Sequence, residues 1–170
     1  MSARTETLKR RLSGYWKMEA GNVLLMPVFL AFIARWNLSW VSLLSFVPMT
    51  TLLIIGAYYW RAKLKQLEDR AYPFSNAMRV ISRSQAAALL LTLIACGTVG
   101  YAWLTPGSFT SGWDQGAATF AVVLAVLEYV NYYHRQLQHF DHGPDFKRLL
   151  SGKGLRPSQM ARDLKTYRRT

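Results

Sequence analysis

Four long apolar stretches, nearly free of charge, constrain this chain more than any other feature of its sequence. Soluble helices show an apolar stripe with polar residues opposite, whereas runs of about twenty apolar residues match the thickness of a bilayer. The second stretch, 41–60 (VSLLSFVPMTTLLIIGAYYW), the third, 86–104, and the fourth, 116–133, each have that length. The first, 20–34 (AGNVLLMPVFLAFIA), would be only about 22 Å long as a helix, against a hydrocarbon core of about 30 Å. It spans if Tyr15, Trp16 and Trp36 serve as interfacial aromatics while Lys17 and Arg35 snorkel towards head groups. In the second stretch, Tyr58, Tyr59 and Trp60 read as an aromatic belt. Pro48 bends it, with Ser45 or Thr51 available to the freed backbone. Thr105-Pro106-Gly107 ends the third, and Asp114 caps the fourth.

The charges sort by loop. Of 21 Lys and Arg residues, only Arg35 falls between the first and second stretches, and the loop 105–115 has none. The rest lie in 1–17, 61–83 and the tail from 134 onward. By the positive-inside rule, this predicts an all-α polytopic membrane protein, a four-helix transmembrane bundle with cytoplasmic N- and C-termini. A re-entrant first stretch would move the loop 61–85 to the other side and destroy the separation. The predicted organisation is a basic segment 1–17, spans one and two within 18–60, a basic connector 61–85, spans three and four within 86–133, and a basic tail 134–170. The setting is a cell membrane, read as a bacterial inner membrane.

With this layout the net charge of +12 is a topological signal, and the mean hydropathy of +0.06 averages two different materials. Disorder is excluded because 51 % of residues are hydrophobic and gathered in blocks. Nucleic acid is not an expected partner, since no nucleic-acid-binding signature accompanies the charge. The polar opening MSARTETLKRRLSGYWK carries no signal-peptide pattern and reads as retained. Cys96, the single cysteine, excludes an intramolecular disulfide and any multi-cysteine metal site.

The connector reads as helical on both sides of Pro73, with Ser75 capping the second helix. Arg61, Lys63, Lys65, Arg79 and Arg83 would form a basic surface on anionic lipid head groups. In the tail, Met160, Leu164 and Tyr167 recur at helical spacing opposite Arg162, Lys165 and Arg169, an amphipathic helix suited to a membrane surface or a partner's groove. Ala117, Ala121 and Ala125, and Cys96 to Gly100, are small-residue rows that permit close helix packing or a homodimer.

Ionisable groups inside a membrane are costly and require a partner, water or a proton. Glu19 and Glu128 are the two carboxylates so placed, Glu128 about 7 Å inside the exit at Tyr133. At 100° per residue, Glu128, Asn131, Tyr132, Arg135 and His139 fall on one stripe, and Tyr15, Glu19 and Asn22 form a matching stripe on span one. The candidate site is therefore Glu19, Asn22, Glu128, Asn131, Tyr132 and Arg135, with Lys17 and Arg135 as ionic partners. Such a cluster either handles protons or substrate, or fixes helix packing through interhelical hydrogen bonds. His139, Asp141, His142 and Asp145 form a second group of metal-ligand types, in a spacing that matches no defined site. No cofactor is expected, and no nucleotide-binding, zincin or hydrolase-elbow motif occurs.

Two functions follow. One is an accessory, scaffold or assembly subunit that meets a membrane-protein partner or a second copy through its basic face. The other is a proton-coupled small-molecule transporter or membrane-embedded enzyme built on Glu19 and Glu128.

Overall fold

The computed structural model describes residues 3–137 and 155–169. The protein is an all-α polytopic membrane protein. It has four apolar helices long enough to cross a bilayer, α1 (Ala3–Ile33), α2 (Trp40–Glu68), α3 (Phe74–Leu104) and α4 (Gly112–Tyr133), and a short α5 (Gln159–Tyr167). Each of the first three extends well past the apolar stretch it contains. The 31-residue α1 is about 46 Å long and runs through Pro27 without interruption. Length therefore places no limit on the first stretch.

The end of α1 is sharp. Arg35 and Trp36 both adopt left-handed backbone (φ 54° and 58°), and the Trp36 amide donates to the Ala31 carbonyl at 2.8 Å. This satisfies an orphan carbonyl of the last turn. Two consecutive non-glycine residues in that region cost about 1 kcal/mol or more each.

α2 is the central helix, packed against α1, α3 and α4. Val41, Ser45, Met49, Leu52, Gly56 and Tyr59 form one buried stripe, and Ser42 and Leu53 are buried on a further face. Pro48 is buried within it. Ser45 and Thr51 do not compensate for the proline; their hydroxyls donate to Val41 and Val47, each four residues back on its own turn.

α4 meets its neighbours largely through small residues, and large apolar residues cover the outside. Ala117, Ala121 and Ala125 of α4 are buried against the α2 stripe, while Ala118 and Val122 meet Ala95, Val99 and Ala102 of α3. Leu24 and Phe32 of α1 and Leu90 and Leu93 of α3 point outward, as do Phe120 and Leu127 of α4. Small residues let helix backbones approach, and lipid chains accept the large ones. Of the two expected small-residue rows the alanine row of α4 packs throughout, whereas in the row of α3 Cys96 packs against the patch shared with α4 and the glycines do not. Gly97 and Gly100 face open space, because the buried stripe of α3 runs through Ala95, Val99 and Ala102.

The aromatic residues also divide differently from the expectation. Trp36, Trp40, Trp103 and Trp113 are exposed around the end that holds the α1–α2 and α3–α4 loops. At the other end only Tyr58 of the Tyr58-Tyr59-Trp60 run faces out. Tyr59 is buried and Trp60 packs on Tyr15, ring centroids 5.1 Å apart.

Three expectations about the ends of helices change. The N-cap of α3 is Pro73 with no side-chain bond, so Ser75 lies inside the helix. α4 is capped by Ser111, which accepts the Asp114 amide at 3.2 Å. The amphipathic tail helix α5 is docked on its own bundle: Met160 and Leu164 are buried in the main core, with Tyr167 packed against it. The chain reaches α5 through an antiparallel pairing in which the Gln136 amide donates to the Arg156 carbonyl at 2.9 Å.

Candidate functional site

Glu19 and Glu128 come from helices that meet at the same end of the bundle. Glu19, on α1, is 5 % exposed although it lies in a helix with many outward-facing residues. Glu128, on α4, is half-buried. Between them stands Tyr132, one turn beyond Glu128, whose hydroxyl faces both carboxylates. That hydroxyl is buried and closes no hydrogen bond at direct geometry. α2 contributes an absence: Gly56 lies against the end of the Tyr132 ring, where a Cβ would overlap the hydroxyl and Cζ. A glycine at this position is what lets the tyrosine reach between α1 and α4.

The other expected members sit at the margin or elsewhere. Asn131 donates from Nδ2 to Glu128 Oε2 at a long 3.4 Å, while its Oδ1 accepts the Leu137 amide at 2.9 Å and turns the chain after α4. Asn22 is half-buried on α1. Arg135 turns away, its Nη1 donating to the Leu155 carbonyl at 2.9 Å. The reason is the end of α4 at Tyr133: beyond it the helical angles no longer apply. Lys17 is exposed, and Tyr15 is engaged by Arg11 Nε at 2.6 Å and by Trp60. Among the described residues, neither Glu19 nor Glu128 has a cationic partner within ion-pair distance.

His139, Asp141, His142 and Asp145 lie outside the described residues, and among those described there is no cluster that could hold a metal ion. Of the expected basic surface, Arg61, Lys65, Arg79 and Arg83 are exposed. Arg61 stacks over Trp16 (5.6 Å) and Lys65 over Tyr72 (5.7 Å). Lys63 turns inward, 2.6 Å from Asp163 of α5, and lies over the Phe74 ring. Asp163 also accepts from the Tyr59 hydroxyl at 2.8 Å. Ser158, the N-cap of α5, donates to the Tyr132 carbonyl at 2.6 Å. The backbone of the tyrosine between the two glutamates is thus part of the seat on which α5 rests.

A second polar centre, at the opposite end, was not singled out from the sequence beyond a capping role for Asp114. Asp114 is fully buried. One oxygen accepts the Ser39 amide at 3.1 Å and the Ser42 hydroxyl; the other accepts the Thr110 amide at 3.0 Å. The carboxylate therefore sits at the N-termini of two helices, α2 and α4, where backbone donors and both helix dipoles favour negative charge. The signal in the sequence is Ser111-x-x-Asp114, a capping-box spacing, together with Ser39-x-x-Ser42.

The chemistry of the two centres differs. Asp114 is saturated with donors from its own chain and has a structural role. The Glu19, Tyr132 and Glu128 group contains two acceptors and a hydroxyl whose hydrogen-bonding capacity is not used directly. Comparison with protein families, curated proteins and solved structures finds no match for this chain.

Proposed function

We propose that this membrane protein takes up and exchanges protons or a small cationic solute at Glu19 and Glu128, as part of proton-coupled transport. The observation that carries the reading is the pairing of two carboxylates around one buried hydroxyl, with no cationic partner among the described residues. A buried carboxylate without a counter-charge is costly, so such a group holds a proton or a cation. Tyr132 suits a relay: its hydroxyl gives its proton to one carboxylate as it accepts one from the other, leaving the phenol unchanged. Gly56 supplies the space for this ring.

The orientation that goes with this reading has both termini, the connector 61–85 and the tail 134–170 in the cytoplasm. Support comes from the charge asymmetry, in which Arg35 is the lone basic residue of the two opposite loops. A cysteine placed at Ser108 in a Cys96→Ser background should react with a membrane-impermeant maleimide from outside the cell, and one at Ser75 only after permeabilisation. The reverse pattern overturns the orientation.

The test of function is flux. Proteoliposomes with an internal pH-sensitive dye and an imposed potassium diffusion potential should show proton entry above protein-free vesicles, lost in Glu19→Gln/Glu128→Gln. Equal flux in wild type, double variant and empty vesicles would refute the reading.

A second reading, an accessory or assembly subunit, is favoured by the exposed Arg61, Lys65, Arg79 and Arg83 at the end that carries α5. Here the basic face meets anionic lipid and a membrane-protein partner or second copy. Crosslinking in native membranes followed by purification separates the two: a stoichiometric partner supports this reading, and solitary protein with glutamate-dependent flux supports the first.

A further inference from the structure

We propose that the cleft where α5 meets α3 and α4 binds a phosphate-bearing anion, supplied by an anionic membrane lipid. The cleft has a volume of about 300 Å³ and is lined by Gln85, Tyr133, Leu164, Lys165, Arg168 and Arg169. It owes its chemistry to the way α5 lies on the bundle. At 100° per residue Asp163 falls on one flank of the buried Met160 and Leu164, and Lys165 and Arg168 fall on the other. The acid flank is taken by Lys63 and Tyr59 of α2, which leaves the cationic flank against α3. No acidic side chain lines the cleft.

The cations are arranged for an incoming acceptor. Arg168 is positioned from α3, its Nη2 donating to Gln85 Oε1 at 2.6 Å and to Ser82 Oγ at 3.3 Å. These contacts use one nitrogen of the guanidinium, and Nη1 and Nε remain as separate charged donors, each able to give a single bond to a phosphate oxygen. Lys165 and Arg169 are exposed, and their side chains make no hydrogen bond or ion pair among the described residues.

The position in the membrane selects the source of the anion. Gln85 immediately precedes 86–104, the apolar stretch of α3. Leu89 and Leu93, one and two turns further on the same face, are 39 % and 57 % exposed. A phosphate in the cleft is thus at the level where head groups give way to hydrocarbon, with an apolar track for an acyl chain above it. This inference does not depend on proton exchange at Glu19 and Glu128.

The experiment is thermal unfolding of the full chain in neutral detergent with dioctanoyl phosphatidylglycerol, dioctanoyl phosphatidylcholine or glycerol 3-phosphate. Phosphatidylglycerol should raise the Tm by several degrees, as a ligand selective for the folded state does. The other two should have little effect. Lys165→Gln/Arg169→Gln should keep the lipid-free Tm and lose most of the shift, while Arg10→Gln/Arg70→Gln, two exposed positions outside the cleft, should retain it. The proposal is overturned by no shift in the wild type, by an equal shift in Lys165→Gln/Arg169→Gln, or by equal losses in both variants. An equal shift with phosphatidylcholine overturns it as well. An equal shift with glycerol 3-phosphate keeps the phosphate site but overturns its lipid source. If the first variant has a lowered lipid-free Tm, Lys165→Gln alone carries the comparison.

Discussion

The Asp114 carboxylate accepts the backbone amide of Ser39, 75 residues earlier in the chain, and so joins the N-terminus of α4 to that of α2. The same carboxylate takes the Ser42 hydroxyl and the Thr110 amide, while Thr110 Oγ1 donates to the Asn37 carbonyl at 2.5 Å. One end of the bundle is thereby tied through a single acidic side chain.

Asp114→Ala removes an acceptor from three donors at a fully buried point. Unsatisfied buried donors cost about 1–3 kcal/mol each, and water near the loops recovers part of this, so a loss of about 2–4 kcal/mol is expected. Asp114→Asn keeps one carbonyl acceptor and should lose roughly half as much. Reversible unfolding in mixed SDS and neutral detergent measures both. An alanine variant as stable as the wild type would show that the junction contributes nothing.

Gly56 and Tyr132 should behave as one unit. A Cβ at position 56 meets both the hydroxyl and the ring carbon that bears it, so Gly56→Ala forces the ring to move and should cost about 1–3 kcal/mol. In Gly56→Ala/Tyr132→Ala the clash is absent, and the cost should fall short of the sum of the single variants by about 1 kcal/mol or more. Additive costs in a double-mutant cycle would separate the two positions.

The seat of α5 depends on Asp163, which meets Lys63 at 2.6 Å and the Tyr59 hydroxyl at 2.8 Å. The paired side chains are only 24 % and 17 % exposed, so they are less screened than a surface pair. Asp163→Ala leaves the Lys63 and Tyr59 donors of α2 facing each other without an acceptor, and frees Gln159 of α5 as well. Hydrogen exchange across Gln159–Tyr167 should then speed up by about 10-fold or more, equivalent to 1.4 kcal/mol or more of lost protection. Exchange within 41–60 should be unchanged. Equal acceleration in both segments would mean that Asp163 supports the whole bundle and not α5 docking.

The separation between what the sequence discloses and what it hides has a physical origin. The four apolar helices are legible because hydrocarbon requires a long, uncharged run, a property of single segments. The meeting of Glu19 with Glu128 was also legible, because both are costly groups at matching depth and few arrangements satisfy them. Arg135 was misplaced because a helical wheel assumes that the helix continues, and α4 stops at Tyr133. The docking of α5 was hidden because an amphipathic face specifies only that something apolar covers it; Lys63 and Asp163, a hundred residues apart, select the protein's own core. Gly56 was silent for a similar reason. A glycine in an apolar run gives no indication of which side chain will use its space.

Tyr132→Phe separates packing from chemistry at the candidate site. The hydroxyl is buried between the two carboxylates and closes no hydrogen bond to either at direct geometry, so its removal takes little from the packing that holds α4 to α1 and α2. Deleting a buried unpaired polar group is neutral or favourable, and the variant should be as stable as the wild type or more stable by up to about 1 kcal/mol. The ring remains, Gly56 still accommodates it, and the Tyr132 carbonyl still receives Ser158. Proton flux through proteoliposomes should nevertheless fall by about 10-fold or more, because phenylalanine has no proton to pass between Glu19 and Glu128. Full flux in a stable phenylalanine variant would remove Tyr132 from the relay. A loss of more than about 1 kcal/mol would instead show that the hydroxyl supports the fold.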